Sequence, residues 1–147
     1  MKSITRILLM AVLITFVSTA AFAQRAEYKK LNQRMALLYK NGRNTEAIDV
    51  AKEIIALADK EFGKEHAYYA ASLSNIAMLY FKEGDFKTAK AKYMEVLSLK
   101  ESSLGKDNPQ LVKVLKDIKK CCDELGESDE SQKIKTRLEA IQRSTSG

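Results

Sequence analysis

Cys121 and Cys122 are the only cysteines in the 147-residue chain, and they are neighbours. In an oxidising compartment two cysteines invite a disulfide. On a helix, adjacent side chains point roughly 100° apart because 3.6 residues make a turn. A bond between them would be strained. Cys122 continues an apolar stripe and reads as a small core residue, which leaves Cys121 free or bonded to another chain. A thiol nucleophile would need a base, and His66 is the only histidine. Reactivity would also need specific neighbours that lower the thiol pKa, and the sequence assembles no such set. Lys113, Lys116 and Lys120 fall at helical spacing on one stripe. Such a stripe can attract an acidic segment or a free carboxylate, or simply solvate a helix face. There is no phosphate-cradling Gly-rich loop and no metal-ligand spacing, so neither a cofactor nor a metal is expected.

The elements that position these residues are helices, and they repeat. Gly42, Gly84 and Gly126 are 42 residues apart. At the same offset Phe62-Gly63-Lys64-Glu65-His66 recurs as Leu104-Gly105-Lys106-Asp107-Asn108. A period in this range marks stacked helical units, each of which must bury its apolar face against its neighbours. Three units follow, over about 26–61, 67–102 and 109–143. In the first, Tyr28, Leu31, Met35, Leu38 and Tyr39 form one helical face. Gly42 ends that helix, and Asn44 is the expected cap of the next. In the second, Leu73, Ile76, Ala77 and Tyr80 precede a turn at Gly84, where a positive φ and a cap at Asp85 are expected. In the third, Asn108 caps, Pro109 starts the helix, Leu111 to Leu125 carries the stripe, and Ser128 caps the last helix. Ile134, Leu138 and Ile141 face the core, and 144–147 reads as a disordered tail.

The second unit, Leu73-x-x-Ile76-Ala77-x-x-Tyr80-x-x-x-Gly84-x-Phe86-x-x-Ala89-x-x-x-Tyr93, resembles the tetratricopeptide repeat. The 42-residue period and the loop Leu104-Gly105-x-x-Asn108-Pro109 resemble the longer, kinesin-light-chain type of that repeat. The resemblance implies an all-α solenoid of helix–turn–helix units in a right-handed superhelix. It also implies a concave groove, lined by the first helix of each unit, that binds a partner's peptide. The close-packed small position, Ala77 in the second unit, falls on Met35 in the first and Lys119 in the third. The later alanine, Ala47 and Ala89, becomes Ser131. A lysine at a close contact predicts loose packing or a shifted register in the third unit.

The groove positions implied by the resemblance are Asn32, Gln33, Ala36 and Tyr39 in the first unit. In the second they are Ser74, Asn75, Met78 and Phe81, and in the third Lys113, Lys116, Asp117 and Lys120. Asn75 stands where many such repeats hold a peptide backbone. An amide offers both donor and acceptor, which suits any peptide bond. Packing of the helix contact is the other role open to it. The chain thus reads as a non-enzymatic module that binds a protein or peptide partner. A structural subunit stacking through its exposed ends is the alternative, with a Cys-nucleophile enzyme a weaker third.

Residues 1–23 read as a secretory signal peptide. Lys2 and Arg6 precede the apolar run Ile7–Val17, and Ala21-Phe22-Ala23 offers a cleavage site before Gln24. Export to a periplasm or the exterior follows from that reading. The membrane is involved only if the segment stays uncleaved as an anchor. The formal net charge of +6 includes Lys2 and Arg6 and would fall to +4 on cleavage. That is mild, and no nucleic-acid partner is expected.

Overall fold

The computed structural model describes residues 25–145. The expected signal segment and its cleavage point lie outside the described residues, as do Ser146 and Gly147. Every regular element described is helical, with no strand. Helix α1 covers 25–40 of the described residues. It is followed by α2 (Asn44–Phe62), α3 (Ala67–Lys82) and α4 (Phe86–Leu104). A 3₁₀ turn (Pro109–Leu111) then leads into α5 (Val112–Leu125), and α6 (Ser128–Thr145) closes the chain. Each helix from α2 to α6 packs on its neighbours in the chain. No described helix is long and apolar enough to cross a membrane. Helix α6 continues through Thr145, two residues into the expected tail, and Ser144 Oγ donates to the Ile141 carbonyl at 2.8 Å.

The sequence period is also a backbone period. Gly42, Gly84 and Gly126 all take positive φ at the turns within units. The two loops between units are near copies: Gly63 has φ 84° and ψ 161°, Gly105 φ 86° and ψ 160°. This mirror image of the extended region is essentially closed to residues with a Cβ. Three residues later, His66 Nδ1 accepts from Tyr68 N at 3.1 Å, and Asn108 Oδ1 accepts from Gln110 N at 2.9 Å. The histidine therefore does the asparagine's work, satisfying an orphan amide at a helix start.

Two expected caps move by one residue. Arg43, not Asn44, occupies the cap of α2 and makes no side-chain cap bond. Asn44 lies inside the helix and donates from Nδ2 to Glu83 Oε1 at 2.6 Å, tying the first turn to the second. Likewise Ser128 is the first residue of α6, and the Glu127 carbonyl accepts the first helical bond, from Ser131 N. The residue after each turn glycine is the cap in all three units. Only Asp85 uses its side chain as expected, accepting from Thr88 N at 3.0 Å.

Two apolar clusters hold the stack. One joins α1, α2 and α3 through Met35, Leu38, Ala51, Ile54, Ile76 and Leu79. The other runs from the end of α2 to α6 through Ala58, Leu73, Ala77, Ala89, Val96, Leu115, Ile118 and Leu138. Helix α1 is also pinned by a polar handle. Its Tyr28 hydroxyl donates to the Tyr68 carbonyl at 3.1 Å and lies 3.1 Å from Ser72 Oγ, while the two tyrosine rings stack at 4.5 Å. That bonding explains how Ser72 can be buried.

The third unit replaces its missing small residues with charge. Lys119 reaches Asp123 at 2.8 Å, and Ser131, buried, donates to the same carboxylate at 2.5 Å. Lys90 of α4 bridges to Glu127 at 2.5 Å and Glu130 at 2.8 Å, and its ammonium holds the Glu127 carboxyl below the usual range. Arg137 of α6 binds Glu101 and the Lys106 carbonyl, both at 2.6 Å. The unit is tied down by polar bonds where the second unit relies on alanine contacts.

The two kinds of positive-φ glycine separate by substitution. Gly126, at φ 72° and ψ 18°, is left-handed helical, a region asparagine visits. No atom lies within 4 Å of a Cβ built on it or on Gly105, so any cost is conformational. Gly105→Asn is expected to lower stability by about 1–3 kcal/mol, and Gly126→Asn by about 1 kcal/mol or less. Urea unfolding measures both; equal losses would show that the inter-unit loop does not require the mirror-image conformation.

Candidate functional site

Helices α3 and α5 are the first helices of the second and third units, and a cavity of about 590 Å³ opens between them over α4. That volume lies within the range of ordinary ligand pockets. It is hollow because α3 presents Ala67, Ala70, Ala71 and Ser74 to it, small residues one face apart. Leu99 and Leu104 of α4 and Val114 of α5 complete the apolar wall. The polar groups are His66, Asn75, Tyr93, Lys100, Gln110, Lys113 and Asp117, among others.

Of the expected groove residues, the cavity gathers Ser74, Asn75, Lys113 and Asp117. Asn75 is half-buried and donates from Nδ2 to Asn32 Oδ1 at 3.3 Å. Its Oδ1 has no partner among the described residues. One end of the amide therefore braces the scaffold while the other stays available. Asn32 is used at both ends, because its Nδ2 also donates to the Tyr28 carbonyl at 2.8 Å.

The remaining expected positions lie outside the cavity. Ala36 is exposed on α1, and Tyr39 and Met78 pack against the first cluster. Phe81 meets Phe86 edge-on at 5.1 Å and packs against the second cluster. Lys116 is exposed. Lys113 and Lys120 both turn onto Asp117, at 2.9 and 3.3 Å. Two of the three lysines in the stripe are thus already paired within their own helix.

Sequence reasoning missed Tyr93 and Lys100, which reach the cavity from the second helix of the unit. Tyr93 is only 5% exposed, and burial, then the Asp117 charge, push its phenol pKa upward. The signal that would have found them is the run of small residues at 67, 70, 71 and 74, which marks a hollow over the helix below.

The cysteines are placed apart from His66. Both thiols are free and fully buried near the end of α5, whereas His66 stacks on Phe62 at 5.1 Å at the head of α3. Desolvation first, then neighbouring negative groups, raise both thiol pKa values to about 11. Cys122 lies with Glu127 and Glu130 in a group whose ligand atoms are within 4.8 Å. Those two carboxylates are engaged by Lys90.

The tetratricopeptide repeat family model matches residues 29–102 and again 69–144. The chain belongs to the tetratricopeptide repeat family, whose repeats in general mediate protein–protein interaction on a non-catalytic scaffold. No curated protein matches. Two crystal structures of the nearly identical TPR-like repeats of a Podosopora anserina kinesin light chain candidate share the fold, with TM-scores of 0.70 and 0.68. Both are 20% identical, and the match covers 80% of this chain and 55% and 56% of theirs. BtubC (BKLC) from P. vanneervenii is similar at a TM-score of 0.68 and 19% identity, over 75% of this chain and 43% of that one. The chain thus spans about half the length of these solved relatives.

The thiol environment predicts slow chemistry. At pH 8 a thiol of pKa about 11 is ionised on the order of a hundredfold less than a free cysteine near 8.5. Alkylation by iodoacetamide should therefore be at least about a hundredfold slower in the native protein and become fast on denaturation. Native labelling of either cysteine at the rate of a free thiol would contradict this placement.

Proposed function

We propose that the chain is a non-enzymatic interaction module, exported from the cell, that holds a protein or peptide partner in the cavity between α3 and α5. The observation that carries the reading is the Asn75 amide, which lines a cavity of about 590 Å³ with its oxygen unpaired. An unpaired acceptor in a concave, partly apolar site suits the N–H of a peptide backbone. Export rests on the basic, apolar and small-residue order of 1–23.

The assembly alternative needs an apolar patch on a terminal helix. Ile134, Leu138 and Ile141 are 9%, 6% and 2% exposed and face inward. The outward residues of α6, from Gln132 to Arg143, are mostly polar and exposed. On α1 the large exposed apolar side chain is Leu37, at 60%. Neither described end offers a broad apolar surface.

The test is a partner recovered by pull-down from the exported fraction and titrated by calorimetry. Asn75→Ala should weaken binding by up to roughly tenfold, since a hydrogen bond contributes about 0.5–1.5 kcal/mol. Stability should change little, because the bond to Asn32 is long. The control is Ala77→Leu at a fully buried contact, which should cost about 1–3 kcal/mol of stability through overpacking. If Asn75→Ala unfolds the domain while the folded fraction binds normally, Asn75 is scaffold and the reading fails.

A further inference from the structure

The second helix of a unit serves chiefly to pack, yet α4 presents two polar groups to the cavity that nothing in the protein uses. Tyr93 lines the cavity, is 95% buried at a relative exposure of 5%, and its hydroxyl has no hydrogen-bond partner among the described residues. Among the described residues the buried side-chain polar atom without a partner is Asn44 Oδ1, not the Tyr93 hydroxyl, so that hydroxyl reaches the open cavity and is free to donate to an acceptor there. Lys100 lines the same cavity, is half-buried, and makes no ion pair among the described residues.

The other cations near the cavity are engaged. Lys113 is held by Asp117 at 2.9 Å, and Lys64 faces Asp59 at 3.9 Å. The acids lining the cavity are Glu65 and Asp117. Asp117 acts at the Tyr93 end, where its charge raises the phenol's pKa. Tyr93 is buried, so an anion there would have to give up its water, whereas a neutral acceptor would lose less. Lys100, by contrast, has no such acid bonded to it.

Tyr93 and Lys100 are seven residues apart on one helix, so they share a face about 10 Å apart along its axis. An extended peptide covers that distance in about three residues. We propose that α4 reads the partner through these two side chains: Tyr93 donates to a neutral carbonyl or amide oxygen, and Lys100 pairs with a carboxylate about three residues away. The proposal rests on the peptide-binding reading of the same cavity and adds the chemistry the partner must carry. The carboxylate belongs to an acidic side chain or to a free C-terminus, and the two sources separate by experiment.

The probe is a library of random octapeptides with free C-termini, selected on the mature protein. The best binders are then synthesised in three forms: unmodified, with each acidic side chain changed to its amide, and with an amidated C-terminus. Fluorescence anisotropy gives Kd on the wild type, Asn75→Ala, Tyr93→Phe and Lys100→Gln. Selected peptides should carry a carboxylate. Lys100→Gln should weaken them about tenfold and have no effect on the form in which that carboxylate is an amide; which form this is identifies the source. Tyr93→Phe should weaken binding about two- to tenfold without lowering the melting temperature, because the hydroxyl bonds to nothing in the fold. Peptides weakened by Asn75→Ala but indifferent to Tyr93→Phe and Lys100→Gln would overturn this proposal and leave the groove reading standing. No selectable peptide, or binders indifferent to Asn75→Ala, would overturn both.

Discussion

Helix α3 buries apolar side chains in two directions, and the rest of the molecule is arranged around that necessity. Ile76 and Leu79 point into the cluster shared with α1 and α2, while Leu73 and Ala77 point into the cluster shared with α4 and α5. A helix apolar on two sides cannot stand at a surface, so it needs a unit on each flank. What remains of its circumference is the strip Ala67, Ala70, Ala71 and Ser74. Small residues there leave the space between α3 and the neighbouring first helix, α5, unfilled, and the cavity is the consequence. The same side-chain sizes thus produce both the stack and the hollow in it.

Most of this fold was legible because it repeats. A glycine every 42 residues and a recurring loop mark backbone positions that few other residues can occupy, and such marks survive whatever the side chains nearby do. The caps were harder to read. Asn44 and Ser128 are favourable cap residues by type, but the cap in each unit is the residue directly after the turn glycine. Backbone geometry decided the position, and the better capping side chain was left one place inside the helix. In the third unit the sequence shows Lys119 and Ser131 where small residues pack elsewhere, but not what those side chains bond to. Asp123, one helical turn beyond Lys119, supplies the missing partner to both, a coupling across the turn that a single-helix reading does not contain.

The site was legible only in part, for a related reason. The groove positions on the first helices are those the resemblance to the repeat family implies, and Ser74, Asn75, Lys113 and Asp117 do meet at the cavity. Periodicity cannot say which polar groups are already bonded. Asn32 and the lysines at 113 and 120 have partners of their own, and Met78 and Phe81 are packed. Tyr93 and Lys100 come from the helix beneath, and they matter because of what they lack, which only coordinates reveal. A tyrosine on an apolar stripe looks like core whether or not its hydroxyl finds a partner.

The most direct test of the account is amide hydrogen exchange of the protein with and without a recovered partner, because exchange reports protection segment by segment. Binding in the cavity predicts slowed exchange over residues 66–75, 99–104 and 110–117, with α6 unchanged. Protection confined to the outer face of α6 or of α1, with those three segments unaffected, would contradict it.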